Sequence, residues 1–233
     1  MSAVTLDAND RLLTVPPRAR SATDLTPDLA GHLATHGALA VPTRDDAGWT
    51  AAVRRAVSES GLLGRGGAGF PAAVKWDAVR SGGRRPMVVV NAMEGEPASA
   101  KDKVLLAYSP HLVLDGADVA AAAVGASDIV ICVTDDNGPT AASVTAAVAE
   151  RARAGMAHRR ISVERPPGRY VSGEESALVA WLNNRRALPS LRIDKSVPLA
   201  VGRRPVLVHN AETLSQVALR VSDWASTPVS ELV

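Results

Sequence analysis

Gly64-Arg65-Gly66-Gly67-Ala68-Gly69-Phe70-Pro71, followed closely by Lys75-Trp76, is the stretch on which the reading of this chain turns. Four glycines in six residues leave almost no side-chain bulk, so backbone N–H groups can close on a phosphate or on the face of a flat ring. Arg65 and Lys75 add positive charge for an anionic ligand. Gly64, Gly66 and Gly69 also satisfy G-x-G-x-x-G, the dinucleotide fingerprint, which should follow a strand and open a helix. Here the preceding residues, Trp49 to Ser60, read as an amphipathic helix, with Trp49, Val53 and Val57 at four-residue steps. The context is wrong for a standard Rossmann turn. On these residues alone the loop is either a ligand cradle or a glycine-rich connector.

Working outward, apolar runs bounded by breakers alternate with helical segments. Pro86 to Val90, Ile129 to Val133, Ile161 to Val163 and Val206 to His209 read as strands. Between them, helices are expected over Lys101–Tyr108, from Pro110 onward with proline at the first position, over Pro139–Ala157, and from an opening at Ser172-Gly173-Glu174-Glu175 to about Arg186. Asn210 is placed to cap a last helix with Leu214, Val217, Ala218 and Val221 on one face. This alternation implies an α/β fold: a single domain with a Rossmann-like, mostly parallel sheet and helices on both faces. Ligands of such sheets sit at the carboxyl ends of strands, which here are marked by Asn91 and by His209-Asn210. Residues 1–48, broken by Pro16-Pro17, Pro27 and Pro42, read as an irregular N-terminal extension, 49–225 as the domain, and 226–233 as a tail.

Composition narrows the function classes. The chain has 233 residues, 46% apolar but only 3% aromatic, so its core must be mostly Ala, Val and Leu. A net charge of +2 argues against a general nucleic-acid footprint. The single cysteine, Cys132, excludes an internal disulfide and lies in an apolar run, where a buried, inert thiol is expected. No secretory signal and no membrane span can be read, which leads to an expectation of a cytoplasmic protein.

Several segments, taken in order, resemble the flavin-binding domain of the 51 kDa subunit of respiratory complex I and of related NAD-reducing hydrogenase and formate dehydrogenase subunits. The loop GRGGAGFP with Lys75-Trp76 is one. Asn91-Ala92-Met93-Glu94-Gly95-Glu96-Pro97, continuing to Lys101-Asp102-Lys103, is similar to the family's N-A-D-E-G-E-P and K-D-R. Pro110-His111-Leu112 is similar to its P-H-L. Tyr170-Val171-Ser172-Gly173-Glu174-Glu175-Ser176-Ala177-Leu178 is similar to its Y-I-C-G-E-E-T-A-L, and Asn210-Ala211-Glu212-Thr213-Leu214 to its N-V-E-T-L. The likeness covers roughly residues 55 to 225.

The resemblance implies an FMN-binding domain that takes hydride from NADH. By position, the cofactor-binding set would be Gly64, Arg65, Gly66, Gly67, Ala68, Gly69, Phe70, Lys75, Asn91, Glu94, Glu96, Tyr170, Gly173, Glu174, Glu175, His209, Asn210 and Thr213. Glu94 would be the group that senses the flavin or contacts the nicotinamide. Each motif also has a ligand-free reading: Ser172-x-x-Glu175 is a capping box, Asn210 a good N-cap, and Glu94 and Glu96 plain turn carboxylates.

Departures from the pattern set two functional expectations side by side. Met93 replaces the family's acidic residue, removing an acceptor from the expected flavin site; Ala78 and Ile193-Asp194-Lys195-Ser196 stand where stacking aromatics or P-P-F-P would be. One cysteine cannot build a four-thiolate cluster, so no iron–sulfur cluster is expected in this chain. Electrons would then pass to a separate iron–sulfur or ferredoxin-like protein, and a peripheral place in a membrane complex is compatible with that. The first expectation is an FMN-dependent NADH oxidoreductase module. The second is a non-catalytic accessory or assembly subunit that keeps the fold.

Overall fold

A computed structural model describes Leu12 and residues 28–82, 85–94, 99–190 and 197–226. Its frame is a five-stranded sheet in the order β3-β2-β1-β5-β4, with β1 (Met87–Ala92), β2 (Asp128–Val133), β3 (Arg160–Glu164) and β5 (Arg204–Asn210) parallel. Only β4 (Ala200–Val201) runs antiparallel, as the short arm of a hairpin with β5. β1 and β2 read as continuous apolar runs because both faces of the sheet are covered. Val88, Val90, Ile129, Ile131 and Leu207 point to one face, into the main core. Val89, Val130, Cys132, Val206 and Val208 point to the other.

The helices divide unequally between these faces. The main core takes in apolar residues of α2 (Ala47–Glu59), α3 (Ala72–Ser81), α4 (Lys101–Tyr108), α5 (Pro110–Val124), α6 (Gly138–Arg153) and α8 (Ala211–Ser226). α7 (Glu175–Asn184) covers the second face through Leu178 and Val179. Helix α5 is buried almost along its whole length, which suits its alanine-rich sequence. Its Gly116 lies so close to α8 that a Cβ there would fall 1.8 Å from the Leu214 carbonyl oxygen. A residue with any side chain would force the two helices apart. Among the described residues no helix is long and apolar enough to cross a membrane.

Two local expectations need correction. The stretch that prolines predict to be irregular contains α1 (Leu29–His36), capped by Asp28, whose carboxylate accepts from the Gly31 N–H at 2.8 Å. Polar bonds to the domain hold it: His32 Nε2 meets Asp115 at 2.8 Å, and Leu29 N–H donates to Glu150 at 2.8 Å. Hydrophobic periodicity could not reveal a helix of 8 residues whose anchors are polar. The helix read as ending near Arg186 follows a 3-10 turn, Tyr170–Gly173, and its cap is Glu174 rather than Ser172. The Glu174 carboxylate accepts from the N–H groups of Ser176 and Ala177 at 2.8 and 3.0 Å. The capping box is therefore absent, and the fully buried Ser172 hydroxyl has no hydrogen-bond partner. One further element, β4, is too short to leave a pattern in sequence.

Candidate functional site

β1 lies between β2 and β5, so the chain leaves the sheet centre in opposite directions on either side of it. This is the switch point where open parallel sheets form a crevice at their carboxyl ends. Asn91 of β1 and Asn210 of β5 are partners in register at that end. Asn91 ties the crevice wall together: its Nδ2 donates to the Gly173 carbonyl at 2.8 Å, while its Oδ1 accepts from the Met93 N–H at 3.1 Å. A Cβ on Gly173 would sit 2.8 Å from the Met93 carbonyl oxygen, so glycine is what lets the 3-10 turn approach β1.

The glycine loop closes on itself before it meets the crevice. Gly64 N–H donates to the Phe70 carbonyl and Ala72 N–H to the Leu62 carbonyl, both at 2.9 Å. Between these ties Gly67 and Gly69 adopt φ values of 96° and 58°, which side chains disfavour, and a Cβ on either would meet nothing within 4 Å. The loop therefore presents bare backbone to open space. Its base is anchored to α8, where Arg65 N–H donates to Thr213 Oγ1 at 2.9 Å. Gly66 lies over Asn210: a Cβ on Gly66 would be 3.8 Å from that of Asn210. Phe70 remains 43% exposed at the loop's stem, an aromatic surface that the core does not use.

A chain of polar contacts runs from the loop across the crevice floor. Asn210 Oδ1 caps α8 by accepting from Thr213 N–H at 2.9 Å, and also accepts from Thr213 Oγ1 at 2.7 Å. Asn210 Nδ2 donates to both carboxylate oxygens of Asp102, at 3.1 and 3.2 Å. Lys101 Nζ lies 3.0 Å from Asp102 and 3.4 Å from Glu212, and Glu212 is 3.8 Å from Arg65 Nε. Burial pushes the Asp102 carboxyl above its ordinary range; Lys101 opposes this, and the Glu94 charge adds to it. Anionic groups are thus crowded at the base of a site whose upper rim carries Arg65 and Lys101.

Other expected residues are already engaged within the chain. Glu94 takes over the N-terminus of α4, accepting from the N–H groups of Asp102 and Lys103 at 2.8 and 3.1 Å and from the Ser99 hydroxyl. Lys75 reaches from α3 to the Glu175 carboxylate and, at 2.7 Å, to the Val208 carbonyl. His209 is buried against α3, where its Nε2 accepts from Trp76 Nε1–H at 2.9 Å. Burial, with Lys75 nearby, drives its pKa well below the usual imidazole value, so the ring is neutral. Met93 is buried on the α7 side of the sheet with Val89, Val130 and Leu178.

Gly64 to Phe70, Lys75, Asn91, Gly173, Glu174, Glu175, Asn210 and Thr213 therefore converge around the β1/β5 end, and Glu94 borders it through α4. Glu174 acts there as the α7 cap. Tyr170 opens the 3-10 turn, while Glu96 and the segment Ile193-Asp194-Lys195-Ser196 lie outside the described residues. Glu212 and the Lys101–Asp102 pair join the site without having been expected in it. Their signal is present in the motifs that contain them, but only the fold shows that α4 and α8 start side by side.

The residues present fit a phosphate-bearing planar ligand in part. Bare loop backbone, the α8 N-terminus and two nearby cations suit the phosphate. Glu94, by contrast, is already committed to the α4 N-terminus, while Asn91 keeps one amide N–H and one oxygen lone pair beyond its bonds to Gly173 and Met93.

Known proteins share this fold. Among solved structures, an NAD+-reducing [NiFe]-hydrogenase in the H2-reduced state superposes with a TM-score of 0.70 at 35% identity, covering 79% of this chain and 33% of that one. The F-type subunit of the NADH-quinone oxidoreductase of Streptomyces coelicolor is 35% identical over 188 residues, which are 75% of this chain and 42% of the relative. Its counterpart in Aquifex aeolicus is 31% identical over 216 residues, 88% of this chain and 49% of the relative. The chain thus spans just under half the length of these two relatives. The model of the Nuo51 FMN-binding domain matches residues 57–219, and with that match over most of its length the chain belongs to the Nuo51 FMN-binding domain family.

Proposed function

We propose that this chain binds FMN in the crevice between β1 and β5 and accepts NADH there, as the electron-input module of a larger redox assembly. FMN supplies the hydride-accepting chemistry, and the protein supplies position and charge. The observation that carries this reading is the bond from Arg65 N–H to Thr213 Oγ1, which brings the bare glycine loop over the N-terminus of α8. Arg65 and Lys101 stand ready to balance the charge of a phosphate, and the loop backbone offers N–H groups without steric bulk. Phe70 offers a ring face for a second aromatic ligand beside the flavin. Glu94, held at the start of α4, borders the site as the group that would sense the flavin or contact the nicotinamide.

The 233 residues contain one cysteine, Cys132, which is buried and whose thiol burial pushes strongly upward in pKa. Four thiolates for an iron–sulfur cluster are more than these residues supply, and the acceptor proposed for the electrons is a separate protein of iron–sulfur or ferredoxin-like chemistry. The relatives named as subunits of oxidoreductases support such a partner. A second reading is favoured by one observation: Met93 is packed in the core where the family pattern has an acid. On that reading the chain is an accessory subunit that keeps the fold without oxidising NADH.

An anaerobic titration of the purified protein with FMN, then NADH, separates the two. Stoichiometric binding with bleaching of the flavin band by NADH supports the electron-input module. Binding without bleaching leaves a flavoprotein that does not oxidise NADH, and no flavin binding overturns the electron-input module and leaves the accessory subunit.

A further inference from the structure

Glu212 is the second residue of α8 and belongs to neither the glycine loop nor the asparagine pair, yet its carboxylate stands between the two exposed cations of the crevice. One oxygen lies 3.8 Å from Arg65 Nε and the other 3.4 Å from Lys101 Nζ. Its side chain is 21% exposed, against 47% for Arg65 and 41% for Lys101. Both distances exceed close hydrogen-bond contact, whereas Lys101 meets its other partner, Asp102, at 3.0 Å. The bridge is therefore electrostatic and loosely held, in a partly solvated place where such pairs are weak. Arg65 has its backbone N–H fixed by Thr213, so the guanidinium can change partner without the loop leaving α8.

We infer that Glu212 is a displaceable internal anion, a specificity-determining residue that holds Arg65 and Lys101 until the phosphate of the ligand takes them over. The inference rests on the FMN reading above and deepens it. The exchange is one of ion pairs: no covalent bond is made or broken, the phosphate gains two cations, and the Glu212 carboxylate turns to water. With Glu212 in place the crevice holds a charge-balanced rim, and a ligand lacking the phosphate has nothing to offer in exchange. Glu212 thus raises the threshold for every anion and leaves only a phosphate-bearing ligand able to displace it.

The test compares wild type with Glu212→Gln, which keeps the side-chain size and leaves the Asn210 cap and the Thr213 anchor intact. Affinities for FMN and for riboflavin are read by flavin fluorescence quenching, and inorganic phosphate is scored by the shift in melting temperature it produces. The expected result is about five- to tenfold tighter FMN binding in Glu212→Gln, the scale of removing one adjacent like charge, with riboflavin affinity unchanged. Lys101→Met should weaken FMN in either background. Unchanged or weaker FMN binding by Glu212→Gln overturns the inference and makes Glu212 an ordinary tether of the loop. If wild type binds neither flavin, the FMN reading fails separately. The displaceable anion is then judged on inorganic phosphate alone: a larger stabilisation of Glu212→Gln sustains it, and an equal one overturns it.

Discussion

Asn91 and Asn210 are register partners on adjacent parallel strands, yet they spend their side chains in opposite directions. Asn91 reaches to Gly173 and draws in the turn before α7; Asn210 reaches to Asp102 and Thr213 and joins α4 to α8. Two amides at one point of the sheet thereby collect separate segments of the chain into a single crevice. The arrangement is sensitive to small changes of backbone position, because these amides engage main-chain groups and helix termini.

Gly173→Ala tests the first of these contacts. The added methyl would lie 2.8 Å from the Met93 carbonyl oxygen, and a backbone atom cannot step aside as a side-chain tip can. The 3-10 turn must retreat, lengthening the Asn91–Gly173 bond. We expect a loss of about 1–2 kcal/mol in urea unfolding, together with at least about tenfold weaker FMN binding, as a misplaced wall demands. Full flavin affinity in the variant would show that this wall does not shape the site.

Gly116→Ala probes the helix packing behind the crevice. Its Cβ would overlap the Leu214 carbonyl, at 1.8 Å, in the contact between α5 and α8. Two buried helices must then separate, and α8 carries Thr213 at its start. The expected cost is about 3 kcal/mol or more, the upper end of overpacking effects. Calorimetry or urea melts would check it, and a near-native melting temperature would mean that the helices can slide without loss.

The turn before α7 allows two substitutions of opposite sign. Glu174→Ala removes the carboxylate that caps α7 and should destabilise by about 1 kcal/mol. Ser172→Ala deletes a buried hydroxyl that bonds nothing, so it should be neutral or stabilise by up to about 1 kcal/mol. A capping box would give the reverse, with Ser172→Ala the damaging change. Paired denaturation curves decide between them.

What can be read from the sequence depends on the kind of force that sets each feature. The strands around Val88, Ile129 and Leu207 are legible because two-sided burial writes an unbroken apolar run. The crevice position follows from Asn91 and Asn210 at strand ends. Helix α1 is not legible, since its partners Asp115 and Glu150 are 83 and 121 residues away in sequence from the groups they hold. The place of Met93 is equally hidden. Its substitution reads as a lost acceptor, while in the fold its side chain fills the α7-side core, so reversal to aspartate would set a charge among Val89, Val130 and Leu178. Motif likeness carries residue type across; it does not carry the direction in which a side chain points.

Acid should weaken the fold through its buried imidazoles. His111 Nδ1 accepts from Arg151 Nε at 3.2 Å, and its Nε2 meets Glu150 at 3.0 Å. Arg151 also bonds Asp115, which holds His32 of α1. Burial and the Arg151 charge lower the His111 pKa, with Glu150 opposing and His32 adding to the effect. Burial likewise lowers that of His209. A lowered folded pKa means that the unfolded chain takes up the proton first. Stability is therefore fully present above the unfolded value of about 6.5 and is lost as pH falls below it. Asp128, by contrast, is pulled upward by burial but held down at about 2 by Arg160 and Arg204, so its contribution disappears only in a separate window, below about pH 4. Urea midpoints should thus fall between about pH 7.5 and pH 5, before any carboxylate of this kind titrates. His111→Asn, whose amide oxygen takes the place of Nδ1 and can still accept from Arg151, should remove part of that fall and leave the remainder to His209. Equal midpoints for the wild type at both pH values would show that neither imidazole is held neutral by the fold.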